Sequence, residues 1–257
     1  MKVSAIALNT FREAIRNKIL YSVIFFAIVL IAVSALFGTV TMGSTVNVIK
    51  DFGLFSLSFA GAIIAILSGG SLLNKEIKQR TVYNILSKPV KRWQFIFGKH
   101  LGLTATVCLL VGLMGAGFML FVALFEGQVD WLLLQGVMMA MLEVSVVAAV
   151  CIFFSSLVVT TTLSGLFTFA TYVAGRSISY FSFYLEQGED HNESLAMLVK
   201  IFDYILPDLS LFNYSDSIVY GVAISNADFL YGLAYAAAYS VAALILAALI
   251  FEKRELV

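Results

Sequence analysis

Charge is what this chain has least of. Charged residues are 12% of its 257, hydrophobic residues 61%, and the mean hydropathy is +0.96. A soluble domain of this length cannot hide that much apolar surface, so the chain reads as a polytopic membrane protein. Its 16 basic and 16 acidic residues cancel, which leaves no global field to attract nucleic acid. There are two cysteines, Cys108 and Cys151, both inside apolar runs. That excludes a disulfide framework and gives no support to a metal site. With two histidines and no HExxH or GxSxG pattern, an intramembrane metalloprotease is not expected. Nor is there a phosphate-binding loop. Gly98-Lys99 is followed by His100, and Trp93 stands where that motif needs its first glycine. The chain cannot hydrolyse ATP through that motif. No internal repeat is evident, which weakens a two-fold secondary carrier.

What the chain has instead is long apolar runs. A spanning helix needs about 20 mostly apolar residues, and six stretches qualify: about 19–38, 52–73, 101–125, 131–157, 160–183 and 229–251. They are apolar all round rather than alternating, which predicts helices and not the strands of a membrane barrel. The fourth and fifth are parted only by "SSLVVTTTL".

Flanking charge predicts direction. With the N-terminus inside, the inner segments hold Lys2, Arg12, Arg16, Lys18, Lys75, Lys78, Arg80, Lys88, Lys91, Arg92, Lys99, Lys253 and Arg254. The outer segments hold only Lys50, Arg176 and Lys200. That bias predicts both termini in the cytoplasm. A cleaved signal peptide is the rival for residues 1–38, with "VSA" at 33–35 as its cleavage site. The patterned segment before the apolar run argues against it.

Residues 1–18, "MKVSAIALNTFREAIRNK", place Val3, Ile6, Ala7, Phe11, Ala14 and Ile15 at helical spacing. This predicts a helix in the inner interface, restarting at a Thr10/Glu13 capping box. The loop at about 74–100 carries the densest positive charge. "NKEIKQRTVYNILSK" predicts a short amphipathic helix ended by Pro89, and "VKRWQFIFGK" begins the climb into the third run, with Trp93 and Phe95 at headgroup level. A topology signal that touches only anionic lipid is the plain alternative. Residues 184–228 form the largest soluble segment. It is acidic and holds an amphipathic "SLAMLVKIFDYIL" before Pro207. His191 among its acids reads as solvated rather than as a metal ligand. Glu143 is the one acid that falls mid-run, and it must face protein or water rather than lipid. It is either a packing residue at a helix interface or a proton relay, and packing is the preferred reading. Gly112, Gly115, Ala116 and Gly117 offer a site of close helix contact.

Together, "NTFREAIRNKIL", the six runs, the loop "NKEIKQRTVYNILSKPVKRWQFIFGK", "LPDLSLFN" and the terminal "FEKREL" resemble the permease subunit of ABC-2 type transporters. The branch they are most similar to is the copper-enzyme-maturation permeases of denitrification operons. The resemblance implies an all-α fold over 1–257, a single transmembrane domain with an N-terminal interfacial helix, a cytoplasmic coupling helix and short outer helices between spans five and six. It implies a bacterial inner-membrane exporter that has no active site of its own and binds no cofactor. ATP and Mg would be used by a separate cytoplasmic ATPase, and a second permease copy or paralogue would complete the complex. Carried over to this chain, Glu76, Arg80, Thr81, Leu86, Ser87, Pro89 and Arg92 would dock the ATPase, with Phe11, Arg12 and Glu13 on the helix beside them. A proton-coupled carrier using Glu143 and a non-transporting scaffold are the alternatives.

Overall fold

A computed structural model of the chain describes residues 2–16, 18–40, 45–78, 91–158, 160–187 and 205–253. These residues form eight α-helices and one 3-10 turn, with no strand among them: α1 (Lys2–Ile15), α2 (Lys18–Val40), α3 (Thr45–Lys78), α4 (Arg92–Glu126), α5 (Leu132–Leu157), α6 (Thr161–Gln187), the turn Ser210–Phe212, α7 (Ser215–Val219) and α8 (Asn226–Lys253). Each of the six apolar runs corresponds to one long helix. Four of these, α3, α4, α5 and α8, are long and apolar enough to cross a membrane among the described residues. α2, α3, α4 and α8 overrun their apolar runs at both ends. α4 begins at Arg92, more than two turns before Leu101, because the loop's second half is already helical.

α3 and α5 form the centre. They pack on each other, and α2, α4, α6 and α8 pack around them. Both are buried over most of their length, while α4 and α8 keep a wide face uncovered. On α4 that face carries Leu101, Leu109, Leu113, Leu120 and Leu124, a spacing of four, seven and eight residues that stacks them along one side of the helix. An uncovered leucine stripe suits lipid tails rather than water.

Small residues allow the closest contacts. A Cβ on Gly98 would stand 2.8 Å from Ile6 Cβ, and one on Gly102 would stand 2.6 Å from Thr10 Cβ and 2.5 Å from the Ala7 carbonyl oxygen. The two glycines are one turn apart on α4 and form a notch that seats α1. This corrects the expected helix restart at Thr10. α1 runs unbroken from Lys2 to Ile15, and the fully buried Thr10 hydroxyl caps nothing, because the side chain is pressed into the notch. Of the expected contact patch on α4, Gly112 and Gly115 do face α5, against Met141 and Val137. Ala116 and Gly117 lie on the exposed side.

Candidate functional site

Three groupings of charged side chains stand out among the described residues. At the start of α4, Arg92 Nη1 donates to the carbonyl oxygens of Phe251 and Glu252, each at 2.8 Å, and the guanidinium lies 5.9 Å from the Phe251 ring centroid. Those are carbonyls of the last turn of α8, where a cation meets the negative end of the helix dipole. Arg92 therefore ties α4 to α8. Gln94 Oε1 accepts the Lys91 N–H at 3.2 Å and closes the first turn. Trp93 is half exposed. Phe95 is not: it is buried and stacked on Phe251 at 6.0 Å between ring centroids. The helix turns its side chain inward, which corrects the interfacial placement expected for it. Between these two helices runs a cleft of about 850 Å³ lined by Lys91, Trp93, Phe97, Ile245, Leu249 and Glu252.

On α1, Phe11 and Glu13 are half-buried and Arg12 is exposed. The helix thus presents Arg12 outward while its apolar side holds α4. Of the expected docking residues in the loop, Arg80, Thr81, Leu86, Ser87 and Pro89 lie outside the described residues, as does His191. Glu76 falls on the last turns of α3, with its backbone alone described.

The second gathering lies at the opposite end of α4. Lys50 Nζ stands 2.5 Å from Glu126 Oε1 and 2.6 Å from Asp130 Oδ2. The lysine is buried, so two carboxylates rather than water balance its charge. Asp130 also accepts the Leu132 N–H through Oδ1 at 2.9 Å, satisfying one of the free donors at the start of α5. One triad thus fixes the start of α3 to the α4–α5 turn.

The third is Glu143, buried on α5. Its partner is Arg176, counted above among the outer charges but placed by the fold well inside α6. Arg176 Nη1 lies 3.4 Å from Glu143 Oε1 and donates to Ser58 Oγ at 2.9 Å and Tyr172 Oη at 3.0 Å. Ser58 in turn donates to Glu143 Oε2. The guanidinium also approaches the Phe55 ring at 6.0 Å. Side chains of α3, α5 and α6 thus meet in one polar cluster. Glu143 Oε1 accepts no hydrogen bond. Sequence reasoning found Glu143 and missed Arg176 and Ser58. The available signal was a single arginine inside an apolar run, seven residues from its end. Counting it as a flanking charge hid it.

A small pocket of about 20 Å³ opens beside this cluster, walled on the other side by Phe212, Asn213, Tyr214, Ser215 and Ile218. Partial burial, with the Asp228 carboxylate adding to it, pushes the Tyr214 phenol above its ordinary value. The segment that brings these residues is pinned down closely. The Leu209 N–H donates to the Gly175 carbonyl oxygen at 3.1 Å, and a Cβ on Gly175 would clash with the Pro207 carbonyl oxygen. The Asp208 N–H donates to Tyr235 Oη at 2.8 Å, and Ser179 and Ser210 share a hydrogen bond.

The remaining polar groups do ordinary packing work. Cys151 and Ser155 on α5 donate to carbonyl oxygens of α3, at Ile66 and Gly70. Neither cysteine is in a disulfide, and no group of metal-ligating side chains occurs among the described residues.

Residues 4–256 match the model of a family described as "ABC-2 family transporter protein". The match spans nearly the whole chain, and the chain belongs to that family. No curated protein matches it.

Proposed function

We propose that this ABC-2 family member is the permease subunit of an ATP-driven exporter, and that it moves substrate when a separate cytoplasmic ATPase closes on ATP and Mg. The observation that carries this reading is the family match over residues 4–256. It is supported by the sequence, which offers no phosphate-binding loop for nucleotide chemistry in the chain itself. In this reading α2, α3, α4, α5, α6 and α8 all span, with both termini cytoplasmic. α2 and α6, at 23 and 27 residues, would reach about 35 and 40 Å at about 1.5 Å per residue. That covers a hydrocarbon core about 30 Å thick. Two permease copies, or this chain and a paralogue, would flank the substrate route.

The loop between α3 and α4 is the docking knob for the ATPase. Support comes from its surroundings. The described chain leaves α3 at Lys78 and re-enters at Lys91, beside the α1 seat and the Arg92 tie to α8. Force applied at the loop would therefore reach α1, α4 and α8 together, as rigid-body coupling requires. Glu76, Arg80, Thr81, Leu86, Ser87, Pro89 and Arg92 are assigned to the contact, with Phe11, Arg12 and Glu13 beside it. The branch of copper-enzyme-maturation permeases is proposed on the sequence resemblance alone.

The test is capture of the ATPase by the permease. Burying a leucine-sized side chain contributes roughly 1.5–3 kcal/mol, so Leu86→Asp should weaken docking about ten- to a hundredfold. The variant should still insert and assemble. Wild-type capture and coupled ATP hydrolysis by Leu86→Asp would sink the docking assignment and favour a loop that touches only anionic lipid. Transport by the permease without any ATPase would favour the proton-coupled carrier instead.

A further inference from the structure

We propose that the Glu143–Arg176 pair is a latch, that the segment 205–219 is its lid, and that the lid controls the latch by keeping water off it. The proposal rests on the permease reading only in identifying this end of the bundle with the substrate exit.

Three observations meet here. First, the pair joins three helices. Glu143 is on α5, Arg176 on α6, and Ser58 on α3 bonds to both. Second, the pair is only half made. One carboxylate oxygen is held by Ser58, while Oε1 is buried, 3.4 Å from the guanidinium, and accepts no hydrogen bond. Third, the lid covers the pair directly. Phe212, Asn213 and Tyr214 form the far wall of the pocket that Glu143 and Arg176 line. At about 20 Å³ that pocket has room for a single water molecule, which needs roughly 10–15 Å³.

The physics follows from the dielectric. With the lid down, the Glu143 carboxylate is cut off from bulk water, and the attraction is weakly screened. The three helices are then cross-linked. Once the lid lifts, bulk water enters, screens the attraction and solvates both ions, and the helices separate at little further cost. The latch thus opens after the lid rather than before it. The lid's own ties are hydrogen bonds to Gly175, Ser179, Tyr235 and Tyr239, one of them a long contact of Ser179 with the Asp208 carboxylate, and the burial of Leu209, Phe212 and Ile218.

The two partners differ in what they leave behind. Without Arg176, the Glu143 carboxylate can take up a proton and stay buried. Without Glu143, the guanidinium cannot lose its charge and must recruit water. Removing the acid should therefore open the lid more than removing the base.

The experiment is thiol labelling of the full chain in membranes, in a background lacking Cys108 and Cys151. The reporter is Ala140→Cys, on the buried wall of the pocket, and the probe is a water-soluble methanethiosulfonate. Glu143→Gln should raise the labelling rate roughly tenfold, Arg176→Gln roughly threefold and Ser58→Ala less than either. A disulfide between Ser179→Cys and Ser210→Cys should suppress labelling in every variant, and reduction should restore it. Equal rates for Glu143→Gln, Ser58→Ala and the parent would overturn the latch. So would Arg176→Gln labelling faster than Glu143→Gln. Ser58→Ala removes only one hydroxyl, so it keeps the test decisive if a charge variant fails to insert. No ATPase or substrate is needed, so a flat result leaves the permease reading standing. Conversely, failure of the Leu86→Asp test leaves the latch intact.

Discussion

Arg92 and Arg176 do outwardly similar things with opposite consequences. Each donates two hydrogen bonds from Nη1 and each lies near a phenyl ring. Arg92 meets carbonyl groups at a helix end, among partly exposed residues. Arg176 meets a carboxylate that is almost wholly buried. The carbonyls at the end of α8 can turn to water or lipid headgroups if Arg92 is lost. Glu143 can reach neither, and stays buried only by taking up a proton. The difference shows that an arginine's structural weight here is set by what its partner does without it, not by the number of bonds it makes.

The largest effect should follow from leaving Glu143 alone. Arg176→Ala should destabilise the fold by roughly 3 kcal/mol, the usual cost of orphaning one member of a buried pair. Thermal unfolding in detergent would show it as a clear drop in midpoint, and Glu143→Gln on top of Arg176→Ala should recover part of the loss. A midpoint unchanged by Arg176→Ala would put the two arginines on the same footing and erase the contrast. The next effect is at Arg92's own end, where packing rather than charge does the holding. Gly102→Leu drives a side chain into Ala7 and Thr10. It should cost about 1–3 kcal/mol and raise proteolysis of α1 without disturbing the rest of the bundle. The smallest should be Arg92→Ala, at about 0.3–1 kcal/mol. Hydrogen exchange would show it as faster amide exchange confined to residues 248–253. An Arg92→Ala loss as large as that of Arg176→Ala would mean that the α8 end is a buried anchor rather than a trimmed edge.

Much of the fold was legible because the apolar runs are long and unbroken. Runs 131–157 and 160–183, parted in the sequence by only a few polar residues, correspond to α5, which ends at Leu157, and α6, which begins at Thr161. The missed features are those that need a second helix to define them. Phe95 reads as interfacial beside Trp93 until α8 supplies Phe251. Thr10 reads as a cap until α4 supplies a notch for it. Arg176 reads as a flanking charge until α5 brings Glu143 alongside. Periodicity along one helix shows which side is apolar, but not which neighbour will cover it. Glu143 was legible for the opposite reason: an acid in the middle of an apolar run demands a partner whatever the fold.

The notch at Gly98 and Gly102 has a use beyond stability. With α1 seated against two backbone positions, α1 and the first turns of α4 share one set of coordinates. Leu8 and Leu101 are both half exposed, one on each helix. Spin labels at these two sites should report one narrow distance with and without nucleotide bound to the proposed ATPase. That pair would serve as an internal ruler, against which the displacement of any third label in the bundle can be measured.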